Sequence, residues 1–265
     1  MISPRSVWAV FQFELRRAVG WSRMIWWVVL ALFPVLIVTL IRTNPVDTPR
    51  DQWWTIILFM LVPMLVSMLG TFLWTTPAVA TELERKSWVY VAVRPHGRTA
   101  VLLGKYLAGV VWVMSAAIVG LTISWMSATG EEGWQPWLVN LKLTLLSCPA
   151  YAAIYLAIGT VMPKRAMVVA VAYTLIFELV ISFVPAVINT LTVQFRLRTL
   201  LFEWANIDFE IEGADAGPFG TIAFVGEPPS TMHVLILIAY TVVMLIVALN
   251  LVRWSEFSAA AESDM

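Results

Sequence analysis

Long stretches of apolar residues without a charged side chain recur along the chain. Five such intervals are uninterrupted, and a sixth contains one charge, Glu178. Each is long enough for the roughly 20 residues that a helix needs to cross about 30 Å of hydrocarbon. They show little of the apolar–polar alternation that is typical of strands. The pattern therefore predicts six transmembrane helices, at about residues 22–41, 54–80, 101–126, 141–162, 167–188 and 232–252.

The composition agrees with a membrane protein. Of 265 residues, 60% are hydrophobic and 13% are charged, and the mean hydropathy is +0.82. Soluble domains carry about 25% charged residues, so a soluble globular enzyme and a disordered chain are both excluded. One cysteine, Cys148, and two histidines cannot supply a disulfide framework or a Cys/His zinc site. We expect an all-α fold, with residues 1–265 forming a single polytopic membrane domain.

The net charge of zero hides an asymmetry between the two sides of the predicted bundle. With the N-terminus in the cytoplasm, twelve of the seventeen Lys and Arg residues lie inside and five lie outside. Acidic residues are distributed the other way, with six inside and ten outside. The positive-inside rule therefore predicts that both termini are cytoplasmic. We expect a multi-pass protein of a prokaryotic plasma (inner) membrane.

Three segments outside the predicted spans have a character of their own. In residues 5–20 apolar and basic side chains lie on opposite faces of a helical wheel, except for Phe13 and Glu14. This pattern predicts a helix in the cytoplasmic interface; a plain basic flank is the alternative. Residues 82–99 combine charges, an apolar run and a Pro/Gly turn, which suits either docking of a cytoplasmic partner or a solvated connector. Residues 189–204 are amphipathic and predict an external interfacial or re-entrant helix.

Glu178 is the one ionisable residue in the middle of a predicted span. A carboxyl group in the membrane must be protonated, paired or in contact with water, and Tyr173, Thr174 and Ser182 are close enough in sequence to hydrogen-bond it. The residue is a candidate for lining a transport path or gate at the fifth helix. A structural hydrogen bond between helices is the alternative, and the sequence does not decide between them.

Met60, Met64 and Met68 recur at helical spacing on one face of the second predicted span. Thioethers are suitable ligands for Cu(I), so a copper path is conceivable. Methionines in an apolar helix are far more often packing residues. We therefore expect packing here, and no metal site in the chain.

Sequences that would indicate an enzyme are missing. The chain contains no GxxxxGK[ST] or other glycine-rich phosphate cradle, and neither the HExxH nor the GxSxG sequence of hydrolases. We therefore expect no catalytic residues, no cofactor and no ATP hydrolysis by this chain alone. The balanced charge also gives no indication of nucleic-acid binding.

Four charged clusters lie in the predicted cytoplasmic segments: Glu14-Leu15-Arg16-Arg17, Glu82-Leu83-Glu84-Arg85-Lys86, Arg94-Pro95 with Arg98, and Gly104-Lys105. Together they resemble the charged clusters of the ABC-2 type permease family. The resemblance covers essentially the whole chain as architecture, and within the family the chain is similar to the permeases linked to multicopper-enzyme maturation. One departure is Lys86-Ser87-Trp88, because the family often has Gly-Thr there.

The resemblance implies an arrangement as well as a function. It implies an N-terminal interfacial helix, a cytoplasmic coupling helix between the second and third spans, and an external helical element between the fifth and sixth. Two permease copies, identical or different, would pair with two copies of a separate ABC ATPase and export a substrate by ATP-driven alternating access. The ATPase-coupling residues would be Glu82, Glu84, Arg85, Lys86, Arg94 and Arg98.

Two functions from other classes stay open. One is a proton-coupled secondary carrier that uses Glu178 as its relay. The other is a membrane assembly factor that transports nothing.

Overall fold

The computed structural model of the protein describes residues 4–43, 52–84, 97–128, 133–183, 187–207 and 229–254. Every regular element in these ranges is a helix, so the expected all-α class is confirmed. The principal helices are α1 (Pro4–Ala18), α2 (Trp21–Thr43), α3 (Trp53–Glu84), α4 (Gly97–Ala128), α5 (Gln135–Val161), α6 (Ala166–Tyr173), α7 (Val193–Trp204) and α8 (Ser230–Trp254).

Five helices in the described ranges are long and apolar enough to cross a membrane. They are α2, α3, α4, α5 and α8, with lengths of 23 to 32 residues. Four of them contain a predicted interval and extend past it at both ends, because a helix continues into the polar residues that flank the apolar run. Helix α5 begins before the interval 141–162 and ends at Val161, one residue before the predicted end. A multi-pass membrane protein is therefore the class that the helices support.

Helix α5 forms the centre of the bundle. In its most apolar stretch 67% of residues are buried, against 17% in α2 and 11% in α8. Small residues allow this central position, since they let neighbouring backbones come close. Gly159 is the tightest point: the backbone carbonyl of Thr76 approaches it so closely that a Cβ would collide. The outer faces of α2 and α8 instead expose large apolar side chains, as in a helix surrounded by hydrocarbon.

Helix α3 is not a regular α-helix along its length. Met60–Val66 is π-helical, with Pro63 at its centre, and Thr76–Ala78 is a 3₁₀ turn. Proline lacks the N–H of the usual i→i−4 bond, and the wider turn accommodates that loss. Ser67 Oγ donates to the carbonyl of Val62 at 3.1 Å just after the wide turn.

The fifth predicted interval, 167–188, does not form a span-length α-helix in the described residues. Helix α6 ends at Tyr173, a π-helical segment covers Thr174–Val180, and 3₁₀ turns occupy Ile181–Phe183 and Val187–Leu191. The interval looks continuous in the sequence because hydropathy does not record backbone geometry. Glu178 lies within the π-helical segment, and its contacts are described below.

Helix α1 packs against the first turns of α4. A Cβ on Gly104 would lie 2.6 Å from Cγ1 of Val10, so the absence of a side chain permits this contact. The buried residues of α1 are Glu14 and Ala18, whereas Trp8 and Phe13 are 57% and 63% exposed. Glu14, which is off the expected stripe, therefore lies on the face that meets the bundle.

Candidate functional site

Glu178 is fully buried, and several donors converge on its carboxylate. Oε1 accepts a hydrogen bond from the Tyr173 hydroxyl at 2.8 Å, and Oε2 accepts one from the backbone N–H of Gln194 at 3.0 Å. Longer contacts come from the backbone N–H of Val193 and the Tyr151 hydroxyl, both at 3.4 Å. Of the three neighbours expected from the sequence, Tyr173 is the one that reaches the carboxylate among the described residues. The backbone of α7 adds donors that the sequence did not indicate.

The backbone donors belong to the N-terminus of α7. The first N–H groups of a helix have no partner within the helix. Here those of Val193 and Gln194 reach Glu178, and that of Phe195 donates to the side chain of Thr192, the N-cap, at 3.2 Å. The positive end of the helix dipole also favours a negative charge at this place. Glu178 therefore acts as a cap for a helix that is distant in sequence.

Helix α7 in turn completes the hydrogen bonding of the segment that carries Glu178. Arg198 is buried and donates from Nη2 to the carbonyl oxygen of Ser182 at 2.5 Å. The hydroxyl of Ser182 donates to the carbonyl of Glu178 at 2.6 Å. The last carbonyl groups of a helix also need hydrogen-bond donors from outside the helix. Arg198 supplies such a donor at the end of the 174–183 segment. We call Glu178, Ser182, Thr192, Gln194 and Arg198 the capping cluster.

Helix α7 has a defined direction relative to α5. Its first residues lie by Glu178 and Tyr151, midway along α5, and its last residue, Trp204, has the ammonium of Lys142 over its ring at 5.4 Å. Lys142 lies near the start of α5. Helix α7 thus extends from the middle of the central helix back towards its beginning.

A second arginine attaches α7 to α8. Arg196 donates from Nε to the carbonyl of Thr190 at 2.9 Å, and its Nη1 lies 2.9 Å from Nδ1 of His233. His233 is fully buried in the first turn of α8. The sequence placed Arg196 and Arg198 simply on the external side, whereas the structure gives both of them interior contacts.

Aromatic side chains surround the capping cluster. Tyr151 and Tyr155 stack at 6.2 Å, and Tyr155 meets Tyr173 edge-on at 6.4 Å. The hydroxyl of Tyr155 lies 2.7 Å from that of Thr174, another neighbour expected near Glu178. Thr174 therefore pairs with a tyrosine, and no hydrogen bond joins it to the carboxylate among the described residues. The result is a polar centre enclosed by aromatic rings.

The coupling candidates lie at another place in the molecule. Glu82 forms an ion pair with Lys105 at 2.6 Å, and Lys105 also donates to the carbonyl of Ala78 at 2.8 Å. Glu84 is exposed. Arg98 donates from Nη1 to the carbonyl of Arg253, at the end of α8, at 3.4 Å. The other three candidates, Arg85, Lys86 and Arg94, lie outside the described residues.

Two of the three methionines in the stripe belong to the apolar packing of the bundle. Met68 is buried in the central apolar cluster, and Met60 packs against that cluster. The π-helical turn at 60–66 also interrupts the 3.6-residue period on which the stripe depends. In the part of the chain that the structure describes, no group of three or more His, Cys, Asp or Glu side chains could hold a metal ion. Cys148 is buried, and its thiol lies 3.3 Å from the hydroxyl of Ser67.

The sequence contained a partial signal for the capping cluster. Thr192 before an amphipathic run is a typical N-cap, so the start of α7 could be located. No local pattern indicates that an acid sixteen residues before Gln194 would cap the same helix.

The chain matches no protein-family model, and no curated protein is similar enough to it to count as a relative.

Proposed function

We propose that the chain is the transmembrane subunit of an ABC exporter of the ABC-2 type, which works with a separate ATPase subunit. The observation that carries the proposal is that the described residues on both sides of segment 85–96 are anchored to other helices. Before it, Glu82 is tied to Lys105 of α4; after it, Arg98 contacts the end of α8. Through these two contacts, a cytoplasmic partner that bound the segment would push three helices at once.

The contacts at this end of the bundle support rigid-body movement. Helix α1 packs on α4 through Gly104 and Val10, and α4 begins right after the anchored segment. Since packed helices move as units, displacement of the segment would tilt α3, α4 and α8 together. An alternating-access cycle requires that kind of concerted tilt.

The positions of the helix ends support an even number of crossings. Arg98 at the start of α4 contacts Arg253 at the end of α8, so these two ends share one side. Because α4 and α5 run in opposite directions, α5 ends on that same side, and the chain must cross once more before α8. We assign this crossing to the segment 166–207, with α7 as a re-entrant helix. The assignment keeps both termini in the cytoplasm, as the distribution of Lys and Arg predicts.

Glu178 is best explained as a positioning residue for α7. Its carboxylate already accepts hydrogen bonds from two backbone N–H groups and two tyrosine hydroxyls. A relay in a proton-coupled carrier would need to give up these bonds in every cycle, which disfavours that alternative. As a positioning residue, Glu178 would shape the external half of a transport path without touching the substrate.

Co-purification tests the proposal. The tagged chain is isolated from its native membrane, and the proteins retained are identified by mass spectrometry. We expect a protein with nucleotide-binding motifs among those retained. This protein should no longer co-purify when Glu84 and Arg85 are both changed to Ala. The matched control is Arg16→Ala, an exposed charge on α1, which should retain the ATPase. Retention by the double variant, or absence of any ATPase from the wild-type sample, would contradict the proposal.

A further inference from the structure

A cavity of about 160 Å³ lies between α1, the end of α3 and the start of α4. Its lining includes Glu14, Arg17, Arg23, Trp74, Thr81 and Lys105. One water molecule needs only about 15 Å³ by the same measure, so the space admits a group much larger than water. We call this space the basic cavity. It is distinct from the capping cluster, with which it shares no residue.

The charges around the basic cavity do not balance. Three cations line it, against one carboxylate. Glu14 is 3.6 Å from Arg17, and Lys105 is engaged by Glu82 at 2.6 Å. Arg23 has no carboxylate within ion-pair distance among the described residues; its guanidinium lies 5.1 Å from the centre of the Trp74 ring. An arginine held by an aromatic face keeps its N–H donors available for an anion.

The position of the cavity indicates which anion can reach it. Arg23 is in the first turn of α2, a membrane-spanning candidate, beside Trp21, which is 85% exposed, and Trp26, which is 57% exposed. Tryptophans at a span end mark the level of the lipid headgroups. Helix α1 next to it also turns Trp8 and Phe13 outward. The cavity therefore lies at the level where lipid headgroups are expected.

From these three observations we propose that the basic cavity binds the phosphate of an anionic lipid headgroup, with Arg23 as its main contact and Arg17 and Lys105 beside it. Arginine presents a planar fork of donors that matches phosphate oxygens, and basic pockets between transmembrane helices attract anionic headgroups. Trp74 holds the guanidinium in place, and Thr81 adds a hydroxyl to the wall. Such a lipid would join α1 to α3 and α4. The proposal depends only on the helices being in a membrane, so transport activity is not part of it.

Native mass spectrometry of the full chain in a neutral detergent tests this site. The probes are phosphatidylglycerol, which has a net negative charge, and phosphatidylcholine with the same acyl chains. We expect wild-type protein to retain phosphatidylglycerol preferentially, and Arg23→Gln to weaken that retention about fivefold, the effect of one basic residue near a membrane surface. Arg16→Gln is the matched control, since Arg16 is an exposed arginine on α1 outside the cavity lining. Its retention should stay within about twofold of wild type.

Two further variants distinguish the loss of a lipid contact from misfolding of the protein. Arg17→Gln removes a different cation from the same wall and should weaken retention in the same direction. Arg23→Lys keeps the charge and should retain phosphatidylglycerol better than Arg23→Gln does. Equal losses for Arg16→Gln and Arg23→Gln, or equal retention of the two lipids, would overturn the proposal. Displacement of phosphatidylglycerol by millimolar inorganic phosphate would assign the cavity to soluble phosphate and overturn the lipid assignment.

Discussion

The carboxylate of Glu178 caps a helix that begins beyond the next turn of the chain: its Oε2 accepts the backbone N–H of Gln194 at 3.0 Å. This bond joins the irregular segment after α6 to the N-terminus of α7. It explains why a charged residue is found in an otherwise apolar interval. Its carboxyl oxygens accept hydrogen bonds at the partially positive N-terminus of a helix, an interaction that the low-dielectric interior leaves poorly screened.

Replacing Glu178 tests the capping role. Glu178→Ala leaves two backbone N–H groups and two tyrosine hydroxyls without their acceptor, and we expect it to lower the free energy of unfolding by about 2–4 kcal/mol. Glu178→Gln keeps one acceptor oxygen and the side-chain volume, so about 1–2 kcal/mol is expected. Far-UV circular dichroism during denaturant unfolding in detergent measures both.

The control for this pair is Glu84→Gln, at an exposed acid outside the interior, which should change the unfolding free energy by less than about 0.5 kcal/mol. A Glu178→Ala variant as stable as the wild type would show that the carboxylate oxygens are not what stabilises α7.

Arg198 should be energetically coupled to Glu178, because each caps the segment that carries the other. We expect Arg198→Met to destabilise the fold by about 1–3 kcal/mol, since the carbonyl of Ser182 loses its donor. Combined with Glu178→Gln, the losses should be less than additive by about 0.5 kcal/mol or more. Pairing Glu178→Gln with Glu84→Gln gives the additive reference, and simple additivity of the Arg198 pair would contradict a shared cluster.

Removing the lysine of the Glu82–Lys105 ion pair should destabilise the fold more than removing both charges does. The two side chains are 13% and 9% exposed, so Lys105→Met leaves a largely buried carboxylate and should cost about 1–3 kcal/mol. Adding Glu82→Leu removes the unpaired charge, and we expect it to recover part of the loss. Unfolding curves of the single and double variants measure this; a double variant less stable than Lys105→Met would argue against the pair.

The contact between α1 and α4 depends on the missing side chain at Gly104. In Gly104→Ala the new methyl would lie 2.6 Å from Cγ1 of Val10 and 3.1 Å from the backbone nitrogen of Phe11. Such overpacking costs about 1–3 kcal/mol, and we expect α1 to become more accessible to protease. Val10→Ala in the same chain should restore resistance. Gly20→Ala is the matched control, because its methyl would meet only the Arg17 carbonyl at 3.4 Å.

Five of the six predicted spans could be located from charge-free apolar runs, because the cost of a charge in hydrocarbon acts on sequence directly. Helix α5 illustrates this: its central apolar interval is what the rest of the bundle surrounds. The interval 167–188 was different: its helix is irregular, and Glu178 within it is hydrogen-bonded to a helix later in the chain. Hydropathy averages over a window and contains no information about such contacts.

The candidate site could be predicted in the same limited way. Glu178 was identified because it is a charge in an apolar run, and its partner Tyr173 was identified by proximity in sequence. Arg198 was not, because the amphipathic pattern only places it among the polar residues of a predicted interfacial or re-entrant helix, and its partner Ser182 is distant in the sequence. For the coupling candidates, the sequence grouped Glu82 with Glu84, and only the three-dimensional arrangement separates a residue paired with Lys105 from an exposed one.

Accessibility labelling from one side of the membrane tests the even number of crossings. Cysteines are introduced singly at three exposed positions, Arg5, Trp134 and Trp254, the last two being 64% and 83% exposed. The native Cys148 is buried and should give little background. In intact cells, a membrane-impermeant maleimide should label Trp134→Cys alone, and Arg5→Cys and Trp254→Cys should react only after permeabilisation. Labelling of Trp254→Cys in intact cells would mean that 166–207 does not cross, because α8 would then end on the outer side.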